Sequence, residues 1–346
     1  MRVRGALLLA AVTAASGCGS GNGLHIENGG RTVRLHSVSA PTAPTPPSIH
    51  RAPRPGVELG APAAIAYSAG TLWCAVYPGP GLLGSLVMVS TTTGRRIGVP
   101  TPLPTAANAY LLAVGADGVW LASGTHLWRV DPAAGSLAVT TRLPGAATAL
   151  QDAAGSIWAT VKTAAGGQLV RLDATGATVA QVAAGPAPSA LTVADGSAWV
   201  TDRVQQSIER FAVGKTKVKA IHTISLPESP VRAPTQITVD GKFVWVYERG
   251  RVLRIDPATN AVVGTTSVAA APGGTLAAGS GGIWVITRTV GRGRGAVRLL
   301  DPATGLGVGH RVAVGTRPTA IVTDGRGAWV LDSATDRLYR VFPPVG

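Results

Sequence analysis

The stretch VADGSAWVTD (residues 193–202) returns with little change as VTDGRGAWVLD (322–332). Each copy has a β-branched approach, an Asp-Gly pair and then a Trp-Val pair. An Asp-Gly pair between apolar runs indicates a tight β-hairpin, because glycine adopts the positive φ angle of the turn without a steric penalty. The two copies therefore predict that the chain uses one hairpin design more than once.

Tryptophan marks every copy of this design. The copies are about 43 residues apart, and seven of the eight tryptophans take part: Trp73, Trp120, Trp158, Trp199, Trp245, Trp284 and Trp329. Self-similarity at such a period is typical of solenoids and propellers. Helical periodicity is absent, and the 45 glycines and 25 prolines suit a turn-rich β protein. Stacked helical repeats are therefore excluded.

Each unit contains four predicted strands. An apolar strand such as SALTVA (189–194) leads through the Asp-Gly turn to the tryptophan strand, and a third strand such as VLRID (252–256) follows. The third strand runs into turns such as DPATN (256–260) and DPATG (301–305). Proline fixes φ for a type I turn, aspartate can cap it, and Gly or Asn closes the hairpin. A fourth strand such as AVVGTTSVA (261–269) completes the unit.

These units predict an all-β fold, a seven-bladed β-propeller of four-stranded antiparallel blades with the ring closed by an N-terminal strand. One blade alone would expose two apolar faces, so each must pack between two neighbours. The last unit stops at PPVG without a fourth strand. The segment 56–67 aligns with 310–323, so Val57–Leu59 is the predicted closing strand.

The Trp-Val strands, the Asp-Pro-Ala-Thr-Gly turns and links such as Gly-Pro-Ala-Pro-Ser-Ala-Leu (185–191) together resemble the YncE-like seven-bladed propellers, relatives of the virginiamycin B lyase-like propellers. The resemblance covers nearly all of 53–346 and implies the architecture rather than an activity. The lyase-like members imply a histidine base with a metal held by carboxylates. The histidines do not match that pattern: three precede the propeller, and His126, His222 and His310 fall in outer strands or at their ends.

The N-terminal residues predict export. Residues 1–18 have two arginines, an apolar run and a small-residue end, which indicates a secretory signal peptide rather than a membrane-spanning helix. Ala15-Ser16-Gly17-Cys18 resembles a bacterial lipobox, which would make Cys18 a lipidation site; an ordinary signal peptide cut nearby is the alternative. Residues 19–52 are the predicted Pro-rich tether, in which 24–38 could form a small hairpin, and 53–346 are the propeller.

The formal charge of +14 raises the question of nucleic acid. The chain has no Lys/Arg run interleaved with aromatics and carries an export signal, so nucleic acid is not the expected partner. An anionic ligand, an envelope protein, or a bland solvated basic surface explains the charge instead.

Catalytic and cofactor motifs are missing from the sequence. It has no nucleophile elbow, P-loop or dinucleotide fingerprint. The run GRGRG (291–295) lacks the lysine and helix of a phosphate cradle and reads as a charged hairpin loop. Cys74 has no partner if Cys18 is lipidated, so a buried inert thiol is expected. No cofactor, metal or catalytic residue is assigned, and a monomer is expected.

The candidate binding residues lie in links predicted to rim one mouth of the channel. Arginine suits carboxylate and phosphate recognition through its planar fork. The ligand-binding candidates are Lys162, Arg203, Arg232, Arg249, Arg288, Arg292, Arg294 and Arg317, near Tyr77, Asp202, Glu248, Asp332 and Asp336. Ordinary solvated loops are the alternative. A second set, on one register of the third strand, is predicted to pack between blades with its charged ends in solvent or on a carboxylate: Arg129, Arg171, Arg210, Arg254 and Arg340.

The sequence therefore favours a lipid-anchored, extracytoplasmic propeller that acts as a ligand- or protein-binding or scaffolding module through an Arg-rich channel mouth. The alternative is a metal-dependent lyase or hydrolase that uses the rim carboxylates Asp202, Glu248 and Asp332.

Overall fold

The structure is a computed structural model of the 346-residue chain. The residues that it describes are 27–28, 31–32, 49–51, 62–76, 83–103, 110–115, 118–131, 134–226, 233–271, 275–279, 281–288, 294–335 and 337–343. Two compact units are present, residues 1–43 and 44–346. In the first unit, β1 (Glu27–Asn28) pairs antiparallel with β2 (Arg31–Thr32), which confirms the predicted small hairpin.

The second unit holds seven antiparallel sheets of four strands each, which we call blades and number from the N-terminal side. Strand β3 (Ile49–Arg51) comes first in the chain and belongs to the last blade. Blade 1 contains β4 (Pro62–Ser68), β5 (Thr71–Val76), β6 (Ser85–Ser90) and β7 (Arg96–Pro102). Blade 2 contains β8 (Leu111–Gly115), β9 (Gly118–Ser123), β10 (His126–Asp131) and β11 (Ser136–Arg142). Blade 3 contains β12 (Ala146–Ala153), β13 (Ser156–Thr163), β14 (Gly166–Leu172) and β15 (Thr178–Ala184).

The remaining blades follow the same plan. Blade 4 contains β16 (Pro188–Ala194), β17 (Ser197–Asp202), β18 (Ser207–Val213) and β19 (Val218–Ser225). Blade 5 contains β20 (Pro234–Val239), β21 (Val244–Glu248), β22 (Arg251–Asp256) and β23 (Ala261–Ser267). Blade 6 contains β24 (Leu276–Gly279), β25 (Gly282–Arg288), β26 (Gly295–Leu300) and β27 (Gly307–Ala313). Blade 7 contains β28 (Pro318–Thr323), β29 (Ala328–Asp332) and β30 (Arg337–Val341), with β3 as its fourth strand.

The seven blades form a closed ring. The first strands contact one another in cyclic order, and β28 of blade 7 contacts β4 of blade 1. The first strands are therefore innermost and the fourth strands outermost. This confirms the all-β, seven-bladed propeller predicted from the tryptophan repeat.

An N-terminal strand closes the ring, as predicted, but the segment is Ile49–Arg51 and not Val57–Leu59. Ile49 pairs with Val341 and Arg51 with Tyr339. Val57–Leu59 lie outside the described residues, and the propeller includes residues before the predicted start at 53. The physical reason is that a fourth strand pairs on one edge and leaves most side chains exposed, as in β23. The apolar pattern of such a strand is too weak to locate it in the sequence.

The hydrophobic core is divided into seven clusters, each between two neighbouring blades. The cluster between blades 7 and 1, for example, packs Trp329, Leu331 and Leu338 against Leu72 and Cys74. All seven repeat tryptophans lie on second strands, between blades, and are at most 8% exposed. An indole buried in this way removes roughly 150–250 Å² from water. The repeat therefore exists because every blade presents the same apolar surface to the next one.

The aspartate of the hairpin turn also fixes the tryptophan. Asp240 Oδ1 accepts the backbone N–H groups of Lys242 and Phe243 at 2.8 and 2.7 Å, and its Oδ2 accepts the indole N–H of Trp245 at 2.8 Å. Asp324 repeats this with Trp329, again at 2.8 Å. The glycine that follows has a positive φ angle in both turns, 90° at Gly241 and 78° at Gly325. In these two turns the aspartate therefore holds both the turn and the indole of the following strand.

At most boundaries between blades, an arginine guanidinium covers the buried indole and donates a hydrogen bond to the next blade. We call this combination of contacts the joint between two blades. Arg210 pairs across the sheet with Trp199, its guanidinium carbon lies 4.7 Å from the indole centroid, and Nη1 donates to Pro257 O of blade 5 at 2.5 Å. Arg340 lies 5.0 Å from the Trp329 ring and donates to Thr91 O of blade 1 at 3.0 Å, which joins the two ends of the ring. Arg171 and Arg254 make the same kind of joint to blades 4 and 6.

These contacts refine the prediction that the third-strand arginines pack between blades with their charged ends in solvent or on a carboxylate. Their stems do pack between blades, and Arg340 also reaches a carboxylate, with Nη2 donating to Asp324 at 2.6 Å. The charged ends of Arg171, Arg210 and Arg254 donate to turn carbonyls of the next blade. These arginines are therefore structural, as expected, and do not form an anion site.

The closing strand gives a direct test of the fold. We expect a chain of residues 53–346 to unfold about 3–6 °C below a chain of residues 44–346, because it loses the hydrogen bonds between β3 and β30. Differential scanning calorimetry of the two chains measures the difference. Equal melting temperatures would contradict the assignment of Ile49–Arg51 and favour Val57–Leu59.

Candidate functional site

One end of the propeller carries the candidate binding residues. Antiparallel order places the loops between second and third strands at the same end as the links between blades. Asp332 shows this contact directly, since Oδ2 accepts N–H groups of Thr316 and Arg317 in a link, and Oδ1 accepts those of Ala334 and Thr335 in the loop. We call this the 2–3 end of the propeller. The other end carries the hairpin turns.

Four basic residues take the same place in four consecutive blades at this end. Each is the fourth residue after the repeat tryptophan and each is exposed: Lys162, Arg203, Arg249 and Arg288. Blades 3 to 6 are neighbours in the ring, so these residues follow its curve. We call this set the basic arc. The sequence indicated the residues one by one, but counting four positions from each tryptophan would have shown that they share one register.

The other predicted binding residues fall at the same end or outside the described residues. Arg294 is exposed just before β26, and Arg317 is exposed in the link before blade 7, where its Nε donates to Ser333 Oγ at 2.9 Å. Arg232 and Arg292 lie outside the described residues, as do Tyr77 and Asp336. Six of the eight predicted binding residues can therefore be placed, and all six are exposed at the 2–3 end.

The carboxylates at this end are buried. Asp202, Glu248 and Asp332 each follow the repeat tryptophan by three residues and are 0% exposed. Asp202 accepts N–H groups of Ala187, Val204 and Gln205 at 2.7 to 2.8 Å, which matches the pattern of Asp332. Each of these two carboxylates therefore ties a link to a loop within the fold.

Glycine makes room for these two carboxylates. A Cβ at Gly185 would overlap the Asp202 carboxylate, and a Cβ at Gly315, where φ is 106°, would overlap that of Asp332. The glycine at the start of each link is therefore required by the close approach of the carboxylate. The recurring Gly in links such as 185–191 has a structural cause.

Glu248 behaves differently from its two counterparts. Its Oε2 forms an ion pair with Nε of Arg251, the residue that faces it across the hairpin. Its Oε1 is buried without a hydrogen-bond partner. The charge is compensated within the blade, and the side chain does not reach the surface.

These contacts concern the alternative of a metal-dependent lyase or hydrolase, which requires the three carboxylates to be accessible at the rim. The side chains belong to separate blades and are engaged by backbone N–H groups or by an arginine. Among the described residues, no group of three or more His, Cys, Asp and Glu side chains could hold a metal ion. The carboxylates therefore have structural roles that account for their burial.

The hairpin-turn end has mixed charge. Turn aspartates such as Asp173 and Asp301 accept hydrogen bonds from Thr175 and Thr304, and these bonds lower the pKa of both carboxyl groups. Exposed bases lie beside them at this end: Arg95, Lys217, Lys242 and Arg326. At the 2–3 end, by contrast, the described strand-end carboxylates Asp202, Glu248 and Asp332 are buried, while the described bases are exposed.

The central channel is uncharged along its described lining. A cavity of about 310 Å³ runs between first strands and is bordered by residues such as Leu150, Ser189, Gln236 and Thr319. Hydroxyl groups of this lining form hydrogen bonds within the protein. Ser189 Oγ donates to Pro234 O at 2.9 Å, and Thr148 Oγ1 lies 2.9 Å from Thr160 Oγ1. The predicted arginines that the structure describes lie in loops, in a link or, for Arg288, at the end of a second strand, and none of them borders this cavity.

His126, His222, His310 and Cys74 lie where they were predicted, but His50, predicted to precede the propeller, lies in its closing strand β3 and pairs there with Arg340. His126 begins a third strand and stacks on Trp128, while His222 and His310 are exposed on fourth strands. Burial raises the pKa of the Cys74 thiol to about 12. A thiol that stays protonated is a poor nucleophile, so Cys74 acts as a small core residue.

The comparisons with known proteins support the architecture. No family model and no curated protein matches the sequence. The chain is similar to the WD40 β-propeller domain of Doa1, at 12% identity and a TM-score of 0.61 over 85% of this chain and 96% of that domain.

Two further solved structures are similar. Hydrazine synthase of Kuenenia stuttgartiensis has 12% identity and a TM-score of 0.67 over 84% of this chain and 97% of that chain. BamB from Moraxella catarrhalis has 12% identity and a TM-score of 0.56 over 85% of this chain and all 100% of that chain. At this identity the likeness shows the β-propeller fold alone, and membership of the YncE-like or virginiamycin B lyase-like family stays a prediction.

One acidic side chain beside the 2–3 end provides a test of this electrostatic description. Glu209 is half-buried and accepts the N–H of Gly185 at 2.9 Å. Its pKa is raised, chiefly by burial and also by the nearby Asp202 charge, against the lowering effect of the Gly185 N–H. The folded state therefore binds the proton more tightly than the unfolded state, and stability falls as the pH rises through the folded pKa.

We expect Glu209→Gln, which keeps a carbonyl acceptor for Gly185, to match the unchanged protein below the unfolded pKa of about 4.3 and to be the more stable of the two at pH 7. Urea unfolding of both proteins across this pH range measures the difference. A loss of stability in the variant that is larger at pH 7 than at pH 4 would mean that the Glu209 pKa is lowered instead.

Proposed function

We propose that this protein is an exported, lipid-anchored propeller that acts as a binding or scaffolding module, and that it captures an anionic ligand or protein partner at its 2–3 end. The observation that carries the proposal is the basic arc. Exposed bases occupy one register in blades 3 to 6, while the carboxylates of the same strand ends are buried. A surface with one sign of charge attracts ligands of the other sign and raises their association rate.

The proposed location follows from the N-terminal residues. Residues 1–18 supply the export signal and Cys18 the lipid attachment, with the proline-rich stretch as a spacer from the membrane. The described residues contain no helix with the length and apolar character needed to cross a membrane. The sequence pattern of residues 1–18 is the basis for proposing export and lipidation.

The propeller fold suits a scaffolding role. The side chains that hold neighbouring blades together lie on the second and third strands. The loops at the 2–3 end can therefore present charged residues without contributing to the core. The fold is shared with a WD40 domain and with BamB. The basic arc lies outside the joints between blades, and it is therefore the part of the molecule that can select a ligand.

Removing the arc should weaken binding without unfolding the protein. We expect Arg203→Gln, Arg249→Gln and Arg288→Gln together to weaken the binding of fluorescein-labelled poly-L-glutamate by about tenfold, because three exposed charge contacts of about 0.5 kcal/mol each are lost. Fluorescence anisotropy at about 50 mM salt measures the affinity, since higher salt screens exposed charges.

The matched control removes the same charge from the other end, in Arg95→Gln, Lys217→Gln and Arg326→Gln. These residues are exposed in hairpin turns, and we expect less than a twofold change. Equal weakening by the two triple variants would show that net charge alone drives binding. Absence of poly-L-glutamate binding, or no weakening by the first triple, would reject the 2–3 end as the binding surface.

A further inference from the structure

The geometry of the basic arc limits the size of its ligand. Equivalent residues of neighbouring blades are separated by the packing distance of two sheets, about 10 Å, and blades splay outward from the channel. Three such steps, followed along the curve of the ring from Lys162 to Arg288, cover roughly 30 Å. One phosphate or carboxylate group can contact one base of the arc. A ligand that uses the whole arc must therefore be extended and must carry several negative charges.

An exposed apolar side chain next to the arc limits the chemical class of ligand that the arc can bind. Val204 directly follows Arg203 and is 69% exposed. The loop is held in place, because the Val204 N–H donates to the buried Asp202 carboxylate at 2.8 Å. Covering this side chain stabilises a complex by about 25 cal/mol per Å² of apolar area. A polyphosphate chain has no apolar group to place there, whereas a polypeptide has.

Nucleic-acid stacking groups are not found among the described residues of this end, which do not include Tyr77. The described residues of the 2–3 end include no exposed aromatic side chain, and Tyr247 is buried between blades 5 and 6. Single-stranded nucleic acids gain affinity and register by stacking bases on such side chains. A polypeptide is therefore the better match.

We infer that the basic arc binds an acidic segment of a protein partner in an extended conformation, with acidic side chains at every third residue and an apolar residue beside one of them; this inference rests on the proposed function. A polyproline II segment has three residues per turn and a rise of about 3.1 Å, so residues i, i+3, i+6 and i+9 share one side at intervals of about 9 Å. This interval matches the separation of neighbouring blades. About ten residues of the segment span the arc.

Two peptides of identical composition test the spacing. Both contain four glutamates, one leucine, and alanine and proline at the other positions. In the first peptide the glutamates occupy every third position with the leucine next to the second glutamate, and in the second peptide the four glutamates are contiguous. We expect the full chain to bind the spaced peptide at least fivefold more tightly, because contiguous glutamates cannot reach all four bases.

Val204 provides the second readout. Val204→Ser keeps the backbone bond to Asp202 and changes only an exposed side chain. We expect it to weaken binding of the spaced peptide by about threefold, equivalent to about 0.6 kcal/mol, and to leave unchanged the binding of a spaced peptide in which alanine replaces the leucine. Anisotropy of the labelled peptides measures both effects.

The outcomes separate this inference from the proposed function. Equal affinity for the spaced and contiguous peptides, or no effect of Val204→Ser on the leucine peptide, would overturn the inference while poly-L-glutamate still binds through the arc. A polyphosphate of four charges that binds as tightly as the spaced peptide would also overturn it. Failure of the three-arginine variant to weaken poly-L-glutamate binding would reject the proposed function itself.

Discussion

The ring depends on the burial of an indole between each blade and the next, and in at least four blades an arginine covers that indole and donates to a turn carbonyl of the following blade. The indole removes apolar area from water between two blades, and the guanidinium covers its face. The same guanidinium satisfies a backbone carbonyl of the following blade, so one side chain links packing to hydrogen bonding across the boundary. At Arg340 this joint connects blade 7 to blade 1, in addition to the strand Ile49–Arg51. The contact between β28 and β4 and the apolar cluster of Trp329, Leu331 and Leu72 join the same two blades.

The joint is not uniform around the ring. In blade 6 the residue opposite Trp284 is Leu299, and Arg298 stands one position away with a pKa lowered by burial and by the charge of Arg311. In blade 1 Met88 faces Trp73. These two blades keep the apolar part of the joint without a guanidinium over the indole from that position. Apolar contact is therefore the common requirement, and the cationic contact adds to it where the sequence supplies an arginine.

Most of the architecture could be predicted from the sequence, because tryptophan, Asp-Gly and Asp-Pro signals report the backbone and core directly. The closing strand could not, since an outer strand such as β3 pairs on one edge and carries little apolar pattern. For the site, residue types located the exposed bases at the 2–3 end. The burial of Asp202 and Asp332 was missed, because the link that each contacts is distant in sequence, and that of Glu248 because its ion pair with Arg251 forms inside the blade. The glycines at 185 and 315 were the available signal of a close approach.

A double-mutant cycle with Arg340→Met and Trp329→Phe measures whether indole and guanidinium act together at the blade boundary. Urea unfolding of the four proteins gives the coupling free energy. The joint predicts a coupling of about 1–2 kcal/mol, with a smaller value for Leu299→Met and Trp284→Phe in blade 6, where a leucine faces the indole. A coupling for the Arg340 pair within about 0.3 kcal/mol of zero would contradict the account and leave apolar burial alone to hold the ring.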